Sequence, residues 1–435
     1  MNTAIICLLI GLVVLLVLGV PVAFALMGIS TLLLVVFFSP NMLYVAVAGF
    51  VNQLQSDVLL AIPMFVLMAA FLQTSGIGAD IYEFFHKWLG GVRGGLAIAT
   101  VATTAVIAAM SGVAATGTIA MGLIALPEML KRGYNKQLAC GPILAGGALG
   151  PIIPPSTVMI IVAAYSGVST GKLFMGGIVP GVALALLFCL YIYLRCQITP
   201  ALAPMVPKEE QPTWNEKIRA LLNVIAPIVI IVLVLGCINA GIATPTEASG
   251  VGAFAAFAYA AFKRKLTFKG LAAAVKQTTE VSVMLMWIMI GGAAYCSLVN
   301  ITQLGTVVAG LFAAIELGPT MLLLVMVIIY FLMGMFLDTS PIAMITIPVL
   351  LPVIKATGLD VFRAMLTLSI TLCLGMITPP FGVNMFYLLG VTPKNITLQD
   401  LYKAVIPFVL IISGMVLFCV FVPEFILWLP NRMFP

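Results

Sequence analysis

Polar groups able to do chemistry are few in this chain, and they sit at three places inside long apolar stretches. Asp338 is the only acidic residue expected at mid-depth of such a stretch. An ionised carboxylate there is expensive unless it is paired, which makes it a functional candidate. The octet Gly150-Pro151-Ile152-Ile153-Pro154-Pro155-Ser156-Thr157 is the second place. It recurs as the third, Gly375-Met376-Ile377-Thr378-Pro379-Pro380-Phe381-Gly382, 225 positions later (375 − 150). A Pro-Pro pair removes two backbone donors and pushes the preceding residue out of the α region, so each helix must break there. The freed carbonyls and N–H groups are tolerated in a membrane only where they line a cavity or are buried in protein. Two broken helices at matching positions of two halves point to the binding site of a transporter.

The composition allows no soluble globule. Of 435 residues, 63% are hydrophobic and 8% charged, and the mean hydropathy is +1.23. Apolar runs of spanning length fill most of the chain, which reads as a polytopic all-α protein of the lipid bilayer. The runs are too continuous for β-barrel strands, which alternate in period two. The first apolar run lacks a basic leader and continues past Phe37, so no cleavable signal peptide is expected. The formal charge of +6 suits basic cytoplasmic loops and suggests no nucleic acid. Eight scattered cysteines without a C-x-x-C read as small apolar residues. There is no H-E-x-x-H, no G-x-S-x-G and no second carboxylate at the depth of Asp338, which argues against an enzyme.

The elements follow from breaks in hydropathy. Gly19-Val20-Pro21 divides residues 4–38 into two short helices. Residues 41–57 read as interfacial, and a span covers 58–75. Residues 79–93, with Asp80, Glu83, His86, Lys87, Trp88 and Arg93, form an amphipathic helix at the interface. Residues 94–129 carry a small polar tip, Ser111 to Thr118, between two apolar arms; this reads as a re-entrant hairpin, with one long helix as the alternative. A broken helix spans 137–165 and another span 172–195. The polar stretch 196–220 holds Pro200, Pro204, Pro207 and Pro212, together with Lys208, Glu209 and Glu210. It divides a first half, 1–199, from a second half, 221–435, with 200–220 as the linker proper. The scaffold of the first half is taken as 1–75. In the second half we expect scaffold spans within 221–299 (221–238, 247–262 and 281–299) and an interfacial segment at 301–317. A hairpin at 319–354 has its tip at Asp338-Thr339-Ser340-Pro341. A broken helix at 363–390 and a span at 404–428 complete the half.

The repeat extends beyond the octets. At the same offset Met110 meets Met335, Leu126-Pro127 meets Leu351-Pro352, Gly133 meets Gly358, and Val158 meets Val383. The loop 263–276 carries five positive residues and no negative one, which places it in the cytoplasm. Counting spans puts the linker and the loop with Lys131, Arg132 and Lys136 on that side. The matching loop 355–363 and the N-terminus fall on the outer side. The halves therefore have opposite orientation, an inverted-topology repeat.

Several motifs carry a family resemblance. They are Ser111-Gly112 at the first tip, Pro127-Glu128-Met129-Leu130-Lys131-Arg132-Gly133-Tyr134, and Gly150 to Ser156. In the second half they are Thr244-Pro245-Thr246-Glu247-Ala248, Phe336-Leu337-Asp338 and Thr378-Pro379-Pro380. Over its whole length the chain resembles the large membrane subunit of a TRAP (tripartite ATP-independent periplasmic) transporter. The resemblance implies an inner-membrane, sodium-coupled importer of organic anions of sialic-acid or C4-dicarboxylate type. It also implies a small four-helix membrane partner, a soluble periplasmic binding protein, and an elevator motion of the hairpin-bearing core against a scaffold. The small partner is often fused to this subunit, and no such extra domain is expected here. The family often carries a hydroxyl residue where Val113 stands.

Sodium is a hard cation that takes oxygen ligands, here largely carbonyls freed at helix breaks. By inverted symmetry each hairpin tip should face the broken helix of its own half. This gives two candidate sodium sites: Ser111, Gly112 and Thr116 with Gly150 and Ser156, and Asp338 and Thr339 with Gly375 and Thr378. The competing reading is that Gly and Ser let helices pack closely. No Lys or Arg is expected at mid-depth. A substrate carboxylate would therefore rest on hydroxyls and half-helix N-termini at Pro154, Pro155, Ser156 and Thr157, and at Pro379, Pro380, Gly382, Val383 and Asn384. Phe381 could pack on an apolar face of substrate, against an ordinary core role. Glu247, near a span start, reads as mainly structural, and His86 as neither metal ligand nor proton relay. A proton-coupled or stand-alone anion exchanger of similar fold is the alternative; a channel fits the repeat less well.

Overall fold

The computed structural model describes residues 2–204, 212–314 and 318–433. The linker residues Pro207, Lys208, Glu209 and Glu210, and the end of the 301–317 segment, lie outside the described residues. Among those described, all regular structure is helical. Asn2–Val17 and Val22–Phe37 fold back on each other, and Gly19 ends the first at φ +79. Gly11 faces Ile29 where the two cross.

Two helix pairs form the scaffold, and the repeat relates them. Pro245–Phe262 lies along Asp57–Thr74, and its mate Val22–Phe37 lies along Phe268–Ile301. One element differs from the sequence expectation. The stretch 268–276 is helical, so the span expected at 281–299 is the far part of one helix of 34 residues. In the first half the same length is two helices, Leu43–Leu54 and Asp57–Thr74. They part at Ser56, whose extended backbone (φ −71, ψ 115) opens the second; no such breaker stands at the mate Val281.

Both hairpins are present. Arms Gly95–Ser111 and Ala114–Lys131 run antiparallel, with Gly117 against Ala108 and the Thr100 hydroxyl 3.8 Å from Met129 Sδ. Pro319–Gly334 and Thr339–Ala356 form the second hairpin, held midway by the Thr346 and Tyr330 hydroxyls. Each broken helix is two helices: Lys136–Ala148 with Thr157–Ser166, and Val361–Gly375 with Val383–Leu389. The long helices Thr170–Ile198 and Leu398–Phe421 buttress them.

Polar contacts sort the loops to two ends. At one end Lys263 pairs with Asp80 at 2.9 Å, Trp88 donates to the Lys217 carbonyl at 3.2 Å, Asn135 N–H to Leu202 at 3.0 Å, and Lys136 to Asn395 at 2.6 Å. This end collects Lys131, Arg132 and 263–265. At the other end Thr246 donates to the Asp57 carbonyl at 2.6 Å, Arg363 to Val420 at 2.7 Å, and Lys172 lies over Phe362. Glu247 is an exposed capping residue: its carboxylate accepts the Thr244 N–H at 2.8 Å and hydroxyl at 2.9 Å. His86 lies in the interfacial helix Ile77–Leu89 beside Tyr82, and burial lowers its pKa.

Candidate functional site

Each hairpin tip docks on the broken helix of its own half. Gly112 turns in the left-handed region at φ +64, and a Cβ there would lie 2.6 Å from the Thr157 amide nitrogen. The position therefore needs glycine twice over, for conformation and for space. Thr157 Oγ1 donates to the Gly112 carbonyl at 2.8 Å, and Gly150 packs against Ala108 and Ala114. In the second half Gly334 and Gly375 meet backbone to backbone; a Cβ on Gly375 would fall 2.5 Å from Gly334 Cα. The Gly382 N–H donates to the Met335 carbonyl at 3.0 Å. Thr157 and Gly382 are repeat mates, so one position of each broken helix holds its hairpin. The Pro154–Pro155 and Pro379–Pro380 peptide bonds are both cis.

The two tips also meet each other. A cavity of ≈ 30 Å³, room for a water-sized occupant, lies between Gly112 to Ala115 on the first tip and Asp338, Thr339 and Ser340 on the second. Thr157, Val158 and Tyr387 from the broken helices close two sides, and Val281, Met284 and Leu285 of the long scaffold helix close a third. A cavity of ≈ 360 Å³ adjoins it, sharing Met284, Leu285, Asp338 and Ser340 and reaching Pro21 to Phe24.

The small cavity combines two opposite electrostatic features. Three helices begin on its wall, at Ala114, Thr157 and Thr339. Their first N–H groups and dipoles favour an anion. Among them stands Asp338, half-buried, which favours a cation. Its Oδ1 accepts the Thr339 N–H at 2.7 Å and caps that helix, and its Oδ2 faces the Tyr387 hydroxyl at 3.5 Å. Oδ2, outside the cap, is the oxygen open to a hard cation, while the Thr339 hydroxyl donates to Oδ1 at 3.3 Å. Among the described residues, no lysine or arginine lines either cavity.

The remaining candidates fall elsewhere. The buried Ser111 hydroxyl is bound within its own tip, 3.0 Å from the Val113 carbonyl. Thr116 is half-buried and off the cavity wall. Ser156 is fully buried as a cap, accepting the Met159 N–H at 3.3 Å and donating to Pro151 at 2.7 Å. Pro154 and Pro155 are buried beneath it. Gly375 and Thr378 sit behind the second tip, Thr378 donating to Leu374 at 2.6 Å.

Asn384 corrects an expectation. Its amide is not offered to a ligand: Oδ1 accepts from Thr118 at 2.8 Å and Nδ2 donates to the Leu144 carbonyl at 3.0 Å, with the side chain fully buried. It ties the second broken helix to the first half. Gly382 and Val383 likewise lie off the cavity wall. The anion-favouring N-termini are instead Thr157 and the hairpin arms at Ala114 and Thr339. Phe381 is no core residue: it is 50% exposed and its ring meets Phe336 and Phe386 at 5.3 and 6.3 Å. Pro379 is half-buried; Pro380 is exposed, and its carbonyl accepts the Tyr402 hydroxyl. Sequence reasoning missed Tyr387 and Met284, and named Ser340 and Thr118 only as parts of the tips, not for the roles they take. Tyr387 had a signal, a polar ring one turn into the half-helix after the second break; Met284 had none.

Comparison with known proteins bears on this architecture directly. The family described as "Tripartite ATP-independent periplasmic transporter, DctM component" matches residues 9–425. The chain belongs to this family. It is a TRAP large permease, a multi-pass transport protein of the inner membrane rather than an enzyme. The family implies a small membrane subunit and a periplasmic binding protein as partners. The chain is 31% identical to the C4-dicarboxylate TRAP transporter large permease protein DctM of Vibrio cholerae, covering 95% of this chain and 94% of that one. It is 31% identical to the DctM protein of Pseudomonas aeruginosa, covering 93% of each. It is 30% identical to the 2,3-diketo-L-gulonate TRAP transporter large permease protein YiaN of Escherichia coli, covering 94% and 95%. The fold is similar to that of the YdaH transporter of Alcanivorax borkumensis, with TM-score 0.67, 15% identity and coverage of 95% and 99%.

Proposed function

We propose that this TRAP permease is the carrier of a sodium-coupled importer of organic anions, moving substrate by an elevator displacement of its hairpin-bearing core. The observation that carries the reading is the meeting of both tips in one cavity, where three helix N-termini surround one carboxylate. Sodium at Asp338 would neutralise that carboxylate, and the helix N-termini would then be free to attract a substrate anion. Coupling follows from this order: without the cation, Asp338 repels the anion the site is built to take. Among the described residues the cavity walls hold no basic side chain, so sodium would also supply charge that these walls do not.

The substrate is an organic anion of C4-dicarboxylate or sialic-acid type. The C4-dicarboxylate names of the Vibrio and Pseudomonas relatives favour the first. A periplasmic binding protein delivers it, and a small four-helix membrane subunit is the second partner. The contact of Tyr387 with Asp338 admits one competing reading, a coupled proton on Asp338. Uptake into proteoliposomes containing both membrane subunits, with binding protein supplied and each gradient imposed alone, decides between them. A sodium gradient should drive uptake of a C4-dicarboxylate; uptake driven by a pH gradient in sodium-free buffer would refute sodium coupling.

A further inference from the structure

We propose that Met284 is the side chain that shuts the tip cavity from the basic end of the molecule, and that its repeat mate Leu59 shuts it from the opposite end once the halves exchange conformations. This rests on the carrier reading above, though not on sodium or on any particular substrate.

Met284 is the one residue common to three cavities that lie in series. It lines the ≈ 30 Å³ tip cavity, the ≈ 360 Å³ cavity beside it, and a groove of ≈ 550 Å³ bordered by Lys276, Thr279, Glu280 and Val283. The groove carries the last charged side chains before the apolar part of the helix. Met284 follows Glu280 by four positions, a rise of about 6 Å, while about 26 Å of helix remain to Ile301. The tip cavity thus lies close to the basic end in this conformation. Met284 is 50% exposed, and its unbranched thioether changes rotamer readily.

The repeat supplies the second half of the inference. At the 225-residue offset Val281, Met284 and Leu285 correspond to Ser56, Leu59 and Leu60. An inverted repeat reaches its other state when each half adopts the conformation of its mate. The tip cavity would then be walled by Ser56, Leu59 and Leu60. At present Leu59 and Leu60 close on Leu285 and Met289 around a void of ≈ 30 Å³. Beyond them a cavity of ≈ 450 Å³ opens at the other end, between Ser56 and Val58 of the scaffold and the Gly167 to Gly171 turn of the core. It does not reach the tips. Each end therefore has an outer chamber, with Met284 between it and the tips at the basic end and Leu59, packed with Leu60 against Leu285 and Met289, at the other.

The test uses the full complex in oriented membrane vesicles with a cysteine in place of Val113, which lines the tip cavity alone. A small impermeant methanethiosulfonate reagent is added from one side, and labelling above the background of the native cysteines is measured. Labelling from the cytoplasmic side should be lost in Met284→Trp and accelerated in Met284→Ala. Leu59→Trp should leave cytoplasmic labelling intact and abolish labelling from the outer side. Unchanged cytoplasmic rates in both Met284 variants would overturn the proposal, as would equal slowing by Leu59→Trp. Should Met284→Trp not assemble, Met284→Ala decides alone: no acceleration rejects the gate. The readout needs neither sodium nor uptake, so it stands or falls apart from the coupling experiment.

Discussion

Asp338 performs two tasks with its two oxygens, and substitutions can separate them. Oδ1 caps the helix Thr339–Ala356, a task that asparagine performs equally well. Asp338→Asn should therefore leave the protein level and partner assembly intact while removing the charge. The sodium concentration for half-maximal uptake should rise on the order of tenfold or more, since ~1.4 kcal/mol of lost attraction suffices for that. Asp338→Ala loses cap and charge together and should also lower thermal stability in detergent. Ser111→Ala should shift sodium dependence less, because that hydroxyl is bound within its own tip and leaves the carbonyls in place. An Asp338→Asn protein with wild-type sodium dependence would remove the carboxylate from the site. Asn384 calls for a different measurement. Asn384→Ala leaves the buried Thr118 hydroxyl without its acceptor and takes the side-chain donor from the Leu144 carbonyl, a loss of about 1–3 kcal/mol. It should show as a lower melting temperature, with sodium dependence unaltered.

At the scale of elements, the hairpins stay on their broken helices through close backbone approach rather than through long side chains. Gly375→Ala and Gly334→Ala each place a methyl group against the other backbone. Both should abolish uptake and lower the melting temperature, whereas Gly250→Ala, which meets nothing within 4 Å, should do neither. Equal tolerance of all three would mean that the hairpin lifts freely from its helix. Ser156→Ala removes the cap of Thr157–Ser166 and should reduce stability by about 1 kcal/mol. The result separates a structural Ser156 from a sodium ligand. A structural cap alters stability and leaves the sodium dependence of uptake unchanged.

For the whole molecule, the charge pattern and the contact pattern agree on which loops share an end, through Asp80 with Lys263 and Asp57 with Thr246. The basic end should face the cytoplasm. A cysteine at exposed Lys269 should react with an impermeant reagent only in inside-out vesicles, and one at exposed Lys355 only in right-side-out vesicles. The reverse pattern would invert the orientation and the direction assigned to both chambers.

The sequence by itself determined where the backbone runs and where it must break. Span length, the paired prolines and the tip glycines constrain the chain within a few residues of themselves, and lipid forbids other solutions. The hairpins at 95–131 and 319–356, both broken helices and the repeat were legible for that reason. The aim of each polar side chain was not. Ser156 and Thr378 bond to their own segments, while Asn384 reaches Thr118, 266 positions away. Phe381 found no core around it because the second break, unlike the first, lies at the surface. Whether a hydroxyl caps a helix or faces a cavity depends on what stands opposite. Only the packing of the two halves brought Thr339, Thr157 and Ala114 around one carboxylate.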